Sequence, residues 1–231
     1  MQSGKSVTLA LDTSGSVLMV SVQRAGKRVV RRRRGIKQER LLFPALQAAL
    51  RACQVTLQDV RKICIVRGPG RFTGIRIALT FASMMKYLNQ AEVYGATVFD
   101  ILRLQVENSS IFTRFKKQHP NGHLGIVLHA FREEYFLQIC DGSQAGPLWL
   151  SREELLKRLA QYPAPLLLAG TDKNDTDLSE LTGGQYPLAA AKDCRVRPQT
   201  LLEISQQALF RQNALEPLYL KPARFELITP K

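Results

Sequence analysis

The chain has 231 residues, a net charge of +14 and no apolar run that approaches the roughly 20 residues of a membrane-spanning helix. Its length suffices for one large domain or two small lobes with their own cores, and its 45% apolar content is typical of a globular protein. The N-terminal sequence lacks a signal-peptide cleavage pattern, so we expect a cytoplasmic protein that does not span a membrane.

Positive charge is concentrated in the first half of the chain. Residues 1–50 carry ten Lys and Arg against two Asp and Glu, and residues 51–100 carry seven against three. A polyanion or an acidic protein that contacts the first half is one interpretation, and ordinary solubility charge is the other. The composition leaves both open.

The cysteines and histidines predict neither a disulfide framework nor a metal site. The four cysteines form no Cys-x-x-Cys pair, and Cys53 and Cys64 fall in apolar segments. Buried, reduced thiols are therefore favoured over disulfides. The three histidines lack the spacing of metal ligands on a helix.

Strands and helices alternate along the first hundred residues. Three strands come first, in "SVTLALDTS", "VLMVSVQ" and "RVVRRRRG". Apolar residues at helical spacing then predict a helix in "QERLLFPALQAALRACQ" and a second in "GIRIALTFASMMKYLN", on either side of the buried strand "KICIV". A strand in "AEVYGA" and a helix in "TVFDILRLQ" follow.

The pattern changes after Gln105. The segment "ENSSIFTRFKKQHPNG" is polar and irregular, as is typical of a boundary. Beyond it we expect a hairpin in "HLGIVLHA" and "EEYFLQICDG", a strand in "PLWL", a helix in "LLKRLAQ" behind a Ser151–Glu154 capping box, and a buried strand in "APLLLAG". "DKNDTDLSELTGGQ" is predicted as a loop, and Pro198 opens a last helix, "QTLLEISQQALFRQ".

This order of elements is that of the ribonuclease H-like actin/hexokinase/Hsp70 (ASKHA) α/β architecture. We expect one complete N-terminal lobe over residues 1–106 and an abbreviated second lobe over residues 107–197. Residues 198–231 are predicted to form a C-terminal helix and tail that pack back on the first lobe.

The first strand ends in Asp12 and Thr13. In nucleotide-binding members of this architecture, an Asp here holds a metal-bound phosphate. The alternative is a turn in which the Asp side chain accepts hydrogen bonds from nearby backbone amides. A metal site would need further acidic residues, and His129 occupies the second-lobe position where we would look for one.

The stretch "RGPGRFTGIRIAL", residues 67–79, reads as a glycine loop that leads into a helix. As an anion or nucleotide site it would use the candidate residues of this loop together with Asp12 and Thr13. The loop candidates are Gly68, Gly70, Arg71, Thr73 and Gly74. The alternative is that the glycines permit a tight turn, and that Arg71 and Arg76 contact a partner.

These segments together resemble the TsaB (YeaZ) family, a subunit of the machinery that places threonylcarbamoyl on adenosine in tRNA. The matching motifs are "LALDTS", "ERLLFPAL", "RGPGRFTGIRIAL", "HAFREEYF" and "PLYLKPA", and in order they span nearly the whole chain. The chain departs from the family pattern at three positions. Arg71 replaces a usual Ser, Lys37 replaces a frequent His, and His129 replaces a common Asp.

The resemblance implies a non-catalytic subunit that supports a TsaD-like transferase, with a TsaE-like ATPase as a further partner. It also implies a homodimer in isolation, tRNA as the substrate of the complex, and no cofactor in the isolated chain. Whether ATP or ADP binds at a shared interface is left open. The alternative function is an independent small-molecule kinase or ATPase that uses Asp12 and the Gly68–Gly74 loop.

Two surfaces are predicted to contact partners. The helix over residues 74–89 is apolar on most of its circumference, so we expect it to be buried on two sides, together with the helix over residues 38–53. The predicted interface residues are Leu41, Leu42, Ala78, Phe81, Ala82, Met84, Met85 and Leu88. In the run Arg31–Arg34, Arg31 and Arg33 share one face and are candidate tRNA contacts, with protection of a sheet edge as the alternative.

Overall fold

The computed structural model describes residues 6–35, 37–143 and 145–221. The chain divides into two compact units. Of the described residues, the first unit comprises those up to Ile101 together with Val196–Leu218, and the second comprises those of Leu102–Arg195 together with 219–221. Residues 222–231 of the predicted tail, including the end of the "PLYLKPA" motif, lie outside the described residues.

The elements follow one another in the predicted order. In the described part of the chain the strands are β1 (Val7–Asp12), β2 (Val17–Arg24), β3 (Lys27–Arg34), β4 (Val60–Val66), β5 (Glu92–Ala96), β6 (His123–Phe131), β7 (Glu134–Cys140), β8 (Leu148–Ser151) and β9 (Leu166–Thr171). The α-helices are α1 (Gln38–Ala52), α2 (Phe72–Asn89), α3 (Val98–Glu107), α4 (Ser110–Gln118), α5 (Arg152–Ala160), α6 (Ser179–Thr182) and α7 (Pro198–Glu203).

The first unit is built on a five-stranded sheet of order β3-β2-β1-β4-β5. The pairs β1–β2 and β2–β3 are antiparallel, whereas β1–β4 and β4–β5 are parallel. Because β1 and β4 run side by side in the same direction, the turn after β1 and the glycine loop after β4 lie at the same edge of the sheet.

Helices α1 and α2 pack on one face of this sheet. Their inward side chains form a continuous core with the strands. Its members include Leu9, Leu11, Val20, Ile63 and Ile65 from the strands, Leu42, Leu46 and Leu50 from α1, and Ile75, Ala78, Phe81, Ala82 and Met85 from α2. Helix α7 packs on the opposite face of the sheet. There the buried thiol of Cys64, a residue of β4, donates a hydrogen bond to the carbonyl oxygen of Leu202 in α7 at 3.8 Å.

The second unit contains a four-stranded sheet of order β8-β7-β6-β9. The predicted hairpin is the antiparallel pair β6–β7, and β9 pairs with β6 in parallel. The core of this unit joins Val127, Leu137 and Leu168 from the strands to Leu155 and Leu159 of α5. The predicted capping box is present, since Ser151 and Glu154 each accept a hydrogen bond from the other's backbone amide.

The segment after Gln105 is more regular than predicted. It contains α4, which begins where the Ser109 hydroxyl accepts a hydrogen bond from the Phe112 amide at 3.2 Å. Phe115 of α4 is buried and Ile111 and Phe112 are half-buried, so these three apolar residues anchor the helix. Likewise, the short helix α6 lies in a stretch predicted as loop.

The last helix is shorter than predicted. Regular α-helix ends at Glu203, and two 3-10 turns follow at Ile204–Gln206 and Ala208–Arg211. The Ser205 hydroxyl donates a hydrogen bond to the Leu202 carbonyl at 2.7 Å, which competes with regular helix propagation. Gln207, between the two turns, is extended.

Candidate functional site

The turn after β1 and the glycine loop before α2 are hydrogen-bonded to each other. The Thr13 hydroxyl, which is fully buried, donates to the Gly74 carbonyl oxygen at 2.7 Å. The Arg71 amide donates to the Ser14 carbonyl oxygen at 2.8 Å. The structure therefore brings the predicted residues of both segments together, and they bind each other.

The glycines of this loop are required because the β1 turn lies against them. A Cβ atom on Gly74 would lie 1.9 Å from the Thr13 carbonyl oxygen, and one on Gly70 would lie 2.5 Å from the Ser14 carbonyl oxygen. Real Cβ atoms do not approach backbone that closely. The backbone of the β1 turn thus occupies the space where side chains at these two positions would lie.

Gln38 joins the start of α1 to the same turn, and sequence reasoning did not single it out. Its side-chain amide donates to the Gly15 carbonyl oxygen at 2.9 Å, and its carbonyl oxygen lies 3.3 Å from the position of a Gly74 Cβ. Gln38 is only 2% exposed. A polar residue at the first position of a helix carried no signal that it would be buried.

The carboxylate of Asp12 is engaged within its own turn. Its Oδ1 atom accepts hydrogen bonds from the Ser14 hydroxyl at 2.7 Å and from the Ser14 amide at 2.9 Å. Burial raises the pKa of the Asp12 carboxyl above its ordinary value, and the two hydrogen bonds from Ser14 oppose that rise. Among the described residues, no three or more His, Cys, Asp and Glu side chains group closely enough to hold a metal ion.

The remaining loop residues differ in exposure. Gly68 has a φ of +124°, a conformation that favours glycine, and a Cβ there would lie 2.6 Å from the Leu218 carbonyl oxygen. Arg71 and Thr73 are exposed. Arg76 is also exposed, and its guanidinium carbon lies 5.2 Å from the centre of the Phe72 ring. The basic residues of the loop are thus available at the surface beside α2.

An apolar groove of about 400 Å³ lies between α1 and α2. Phe43 and Phe72 on its walls are 49% and 56% exposed. Phe43 packs edge-on against Phe81, with 6.3 Å between the ring centres. The full lining is Glu39, Leu42, Phe43, Phe72, Thr73, Arg76, Ile77, Thr80, Phe81 and Met84.

The structure corrects three of the predicted interface residues and places two others where the core meets the groove. Ala78, Ala82 and Met85 are at most 1% exposed and belong to the core of the first unit, and Leu42 and Phe81 are 4% exposed and also belong to that core. Ala78, Ala82 and Met85 pack against the strands and the other helix residues of that core, whereas Leu42 and Phe81 also line the groove.

Three predicted interface residues remain partly accessible, and three accessible ones were missed. Leu41 and Met84 are half-buried, and Leu88 is 65% exposed. The missed residues are Phe43, Phe72 and Ile77. The signal that could have found them is large apolar side chains that lie off the core-facing stripe of each helix.

The two arginines predicted to contact tRNA lie on the face of β3 that α1 covers. Arg31 is opposite Val20 of β2, and Arg33 is opposite Leu18, both core residues. Their guanidinium groups donate to the Val30 and Arg32 carbonyl oxygens, each at 3.0 Å. The predicted strand and its position at the sheet edge are confirmed.

None of the helices in the described ranges is both long enough and apolar enough to cross a membrane.

Comparison with known proteins gives matches to one group of tRNA-modification proteins. A family model described as TsaD, tRNA N6-adenosine threonylcarbamoyltransferase, matches residues 36–108. The tRNA threonylcarbamoyladenosine biosynthesis protein TsaB of Buchnera aphidicola subsp. Schizaphis graminum (strain Sg) is 29% identical over 98 residues, 42% of this chain and 46% of that protein. The protein of the same name from Bacillus subtilis (strain 168) is 31% identical over 81 residues, 34% of this chain and 35% of that protein. The aligned segments thus span less than half of each relative.

Solved structures extend the likeness over the fold. YeaZ from Pseudomonas aeruginosa superimposes with a TM-score of 0.65 at 23% identity, covering 93% of this chain and all of that one. The ethanolamine utilization protein EutJ from Carboxydothermus hydrogenoformans gives a TM-score of 0.50 at 7% identity, covering 85% of this chain and 89% of that one. At these identities the likeness concerns the fold alone. The predicted ASKHA-type α/β fold and the resemblance drawn from the sequence motifs are both confirmed.

We expect Gly74→Ala to destabilise the first unit by roughly 2–4 kcal/mol, because its methyl group would collide with the Thr13 carbonyl. Gly15→Ala is the matched control, since nothing lies within 4 Å of a Cβ at Gly15. Urea unfolding followed by circular dichroism measures both. Equal stability of the two variants would contradict the close contact between loop and turn.

We expect Asp12→Asn to gain stability relative to the wild type as pH rises. The raised pKa means that folded Asp12 holds its proton above the pH where the unfolded residue loses it, roughly 3.9. Above that pH, ionisation costs the folded wild type stability, and Asn has no such cost. Urea midpoints between about pH 4 and neutral pH measure the difference. If the wild type instead became more stable than Asp12→Asn as pH rises, a cation or further hydrogen-bond donors would have to lie at this carboxylate.

Proposed function

We propose that this chain, a member of the TsaB (YeaZ) family, is a non-catalytic subunit in the formation of N6-threonylcarbamoyladenosine in tRNA. The observation that carries the proposal is the apolar groove between α1 and α2. It combines exposed aromatic rings with a rim of Glu39 and Arg76, and exposed apolar surface of this kind marks a protein interface.

The proposed occupant of the groove is a TsaD-like transferase, and in its absence a second copy of this chain. The names of the relatives and of the matching family model support that choice. Phe43 and Phe72 would supply the large apolar anchors near the centre of the contact. A stable pairing should bury about 1,600 Å² in total, so the helix surfaces around the groove must take part as well.

The geometry of the β1 turn favours a non-catalytic role. The Asp12 carboxylate accepts from Ser14, and the backbone of the turn fills the space beside Gly70 and Gly74. In this proposal the loop ties the start of α2 to the β1 turn and binds no phosphate. The assembled complex binds ATP or ADP, a TsaE-like ATPase and the tRNA substrate.

We expect Phe72→Glu and Phe43→Glu each to weaken binding to a TsaD-like transferase by about 2 kcal/mol, roughly 30-fold in Kd, because a charge would be buried in an apolar contact. Both side chains are about half exposed, so the fold should be retained. Leu209→Glu is the control, since Leu209 is 60% exposed and belongs to a 3-10 turn away from the groove.

Size-exclusion chromatography and calorimetric titration measure the self-association and the binding of the transferase. A wild type that stays monomeric and does not bind the transferase would sink the proposal. So would equal losses in the groove variants and in Leu209→Glu.

We expect the purified chain alone neither to hydrolyse ATP nor to modify tRNA, because the Asp12 carboxylate accepts its hydrogen bonds from Ser14 and the glycine loop is bonded to the β1 turn. Phosphate release and nucleoside analysis of incubated tRNA test this. Turnover that disappears in Asp12→Ala would overturn the expectation and favour the kinase or ATPase function instead.

A further inference from the structure

The edge strand β3 carries a concentration of positive charge that the groove does not use. From Arg24 to Arg40 the chain has nine Lys and Arg and a single acid, Glu39. Among the described residues, no carboxylate oxygen lies within 4.0 Å of a side-chain nitrogen of β3. The strand is therefore a cationic surface without internal neutralisation.

The antiparallel register separates these charges onto two faces. Lys27, Arg31 and Arg33 pair with Arg24, Val20 and Leu18 and lie on the face that α1 covers. Arg28, Arg32 and Arg34 pair with Gln23, Met19 and Val17 and lie on the opposite face. We call Arg28, Arg32 and Arg34 the outer row.

The two faces differ in what their guanidinium groups contact. On the α1 face, Arg31 and Arg33 donate to carbonyl oxygens of their own strand. Within the described ranges, the guanidinium groups of the outer row donate no hydrogen bond and form no ion pair, and all three residues are exposed. Each guanidinium thus presents its five N–H donors to solvent.

Protection of a sheet edge explains charge on β3 but not this arrangement. Lysine is the charged residue that most often serves that purpose. In the outer row Arg32 and Arg34 are two residues apart, roughly 6.6 Å along the strand, so their like charges repel at close range. A bound polyanion would remove that repulsion.

We propose that the outer row binds the phosphate backbone of RNA. The guanidinium fork fits two oxygens of one phosphate, which the point charge of lysine does not. The one apolar residue of β3 on the same face as the outer row, Val30, is half-buried, so this face of the strand lacks the exposed apolar and aromatic side chains that the core of a protein interface or a membrane-binding face needs. This inference deepens the proposed function, in which tRNA is the substrate, and it places the contact on the face opposite to Arg31 and Arg33.

The test compares two variants of the full chain that each remove three charges from β3. The outer variant is Arg28→Gln, Arg32→Gln and Arg34→Gln, and the matched control is Lys27→Gln, Arg31→Gln and Arg33→Gln. Fluorescence anisotropy with labelled tRNA is measured over a series of salt concentrations, after circular dichroism has verified that both variants are folded.

We expect the outer variant to bind tRNA at least about tenfold more weakly than the wild type, and the slope of log affinity against log salt to fall by roughly 2–3, because about three phosphate contacts are lost. The control should bind within about twofold of the wild type, since its charges do not touch the backbone in this assignment.

Four results would overturn the assignment. The first is a wild type that does not bind tRNA, and the second is an equal loss of tRNA affinity in the two variants. The third is an outer variant that binds tRNA as the wild type does but self-associates. The fourth is binding of phosphatidylserine vesicles or polyglutamate to the outer row as tightly as tRNA binds. The outer variant should still bind the TsaD-like transferase, and Phe72→Glu should still bind tRNA. Loss of transferase binding alone therefore counts against the proposed function and leaves the RNA surface standing.

Discussion

The contact between the β1 turn and the glycine loop determines the geometry of the first unit. Thr13 donates to the carbonyl of Gly74, and the missing Cβ atoms of Gly70 and Gly74 let two backbone segments approach each other without side chains between them. Gln38 adds α1 to the same point by its hydrogen bond to Gly15. The starts of both helices are thereby tied to the end of one strand.

The contacts of this glycine-rich loop differ from those of a loop that binds phosphate through its amides. In such a site, glycines leave backbone amides accessible to an anion. Here the Arg71 amide is bonded to Ser14, and the Ser14 and Thr13 carbonyl oxygens lie where the glycine side chains would be. The same sequence motif thus joins the end of β1 to the start of α2, beside the groove between α1 and α2.

Sequence patterns predicted the fold better than the site, for a physical reason. The spacing of apolar residues and the turn residues locate β1 to β5 and both long helices, because these elements depend on local sequence preferences. Which side of an apolar helix meets the sheet depends on tertiary packing, so Met85 was predicted at an interface and lies in the core. Phe43 and Phe72 lie off the core-facing stripe of their helices, which indicates exposure but not that the two helices form a groove between them. Nothing in the sequence indicated that Gln38 is buried, because its burial depends on the position of the Gly15 carbonyl in the β1 turn.

The alternation of a strand explains why one run of arginines can have two roles. Consecutive residues of β3 point to opposite faces, so Arg31 and Arg33 lie beside α1 while Arg32 and Arg34 face away from it. A helix with the same four residues would spread them around its axis and give no flat row. Because β3 is the last strand of the sheet, the outer row is not flanked by another strand on its far side. Charge at this edge blocks pairing with a further strand, and any charged residue would serve that purpose. The aligned hydrogen-bond donors need arginines in one row.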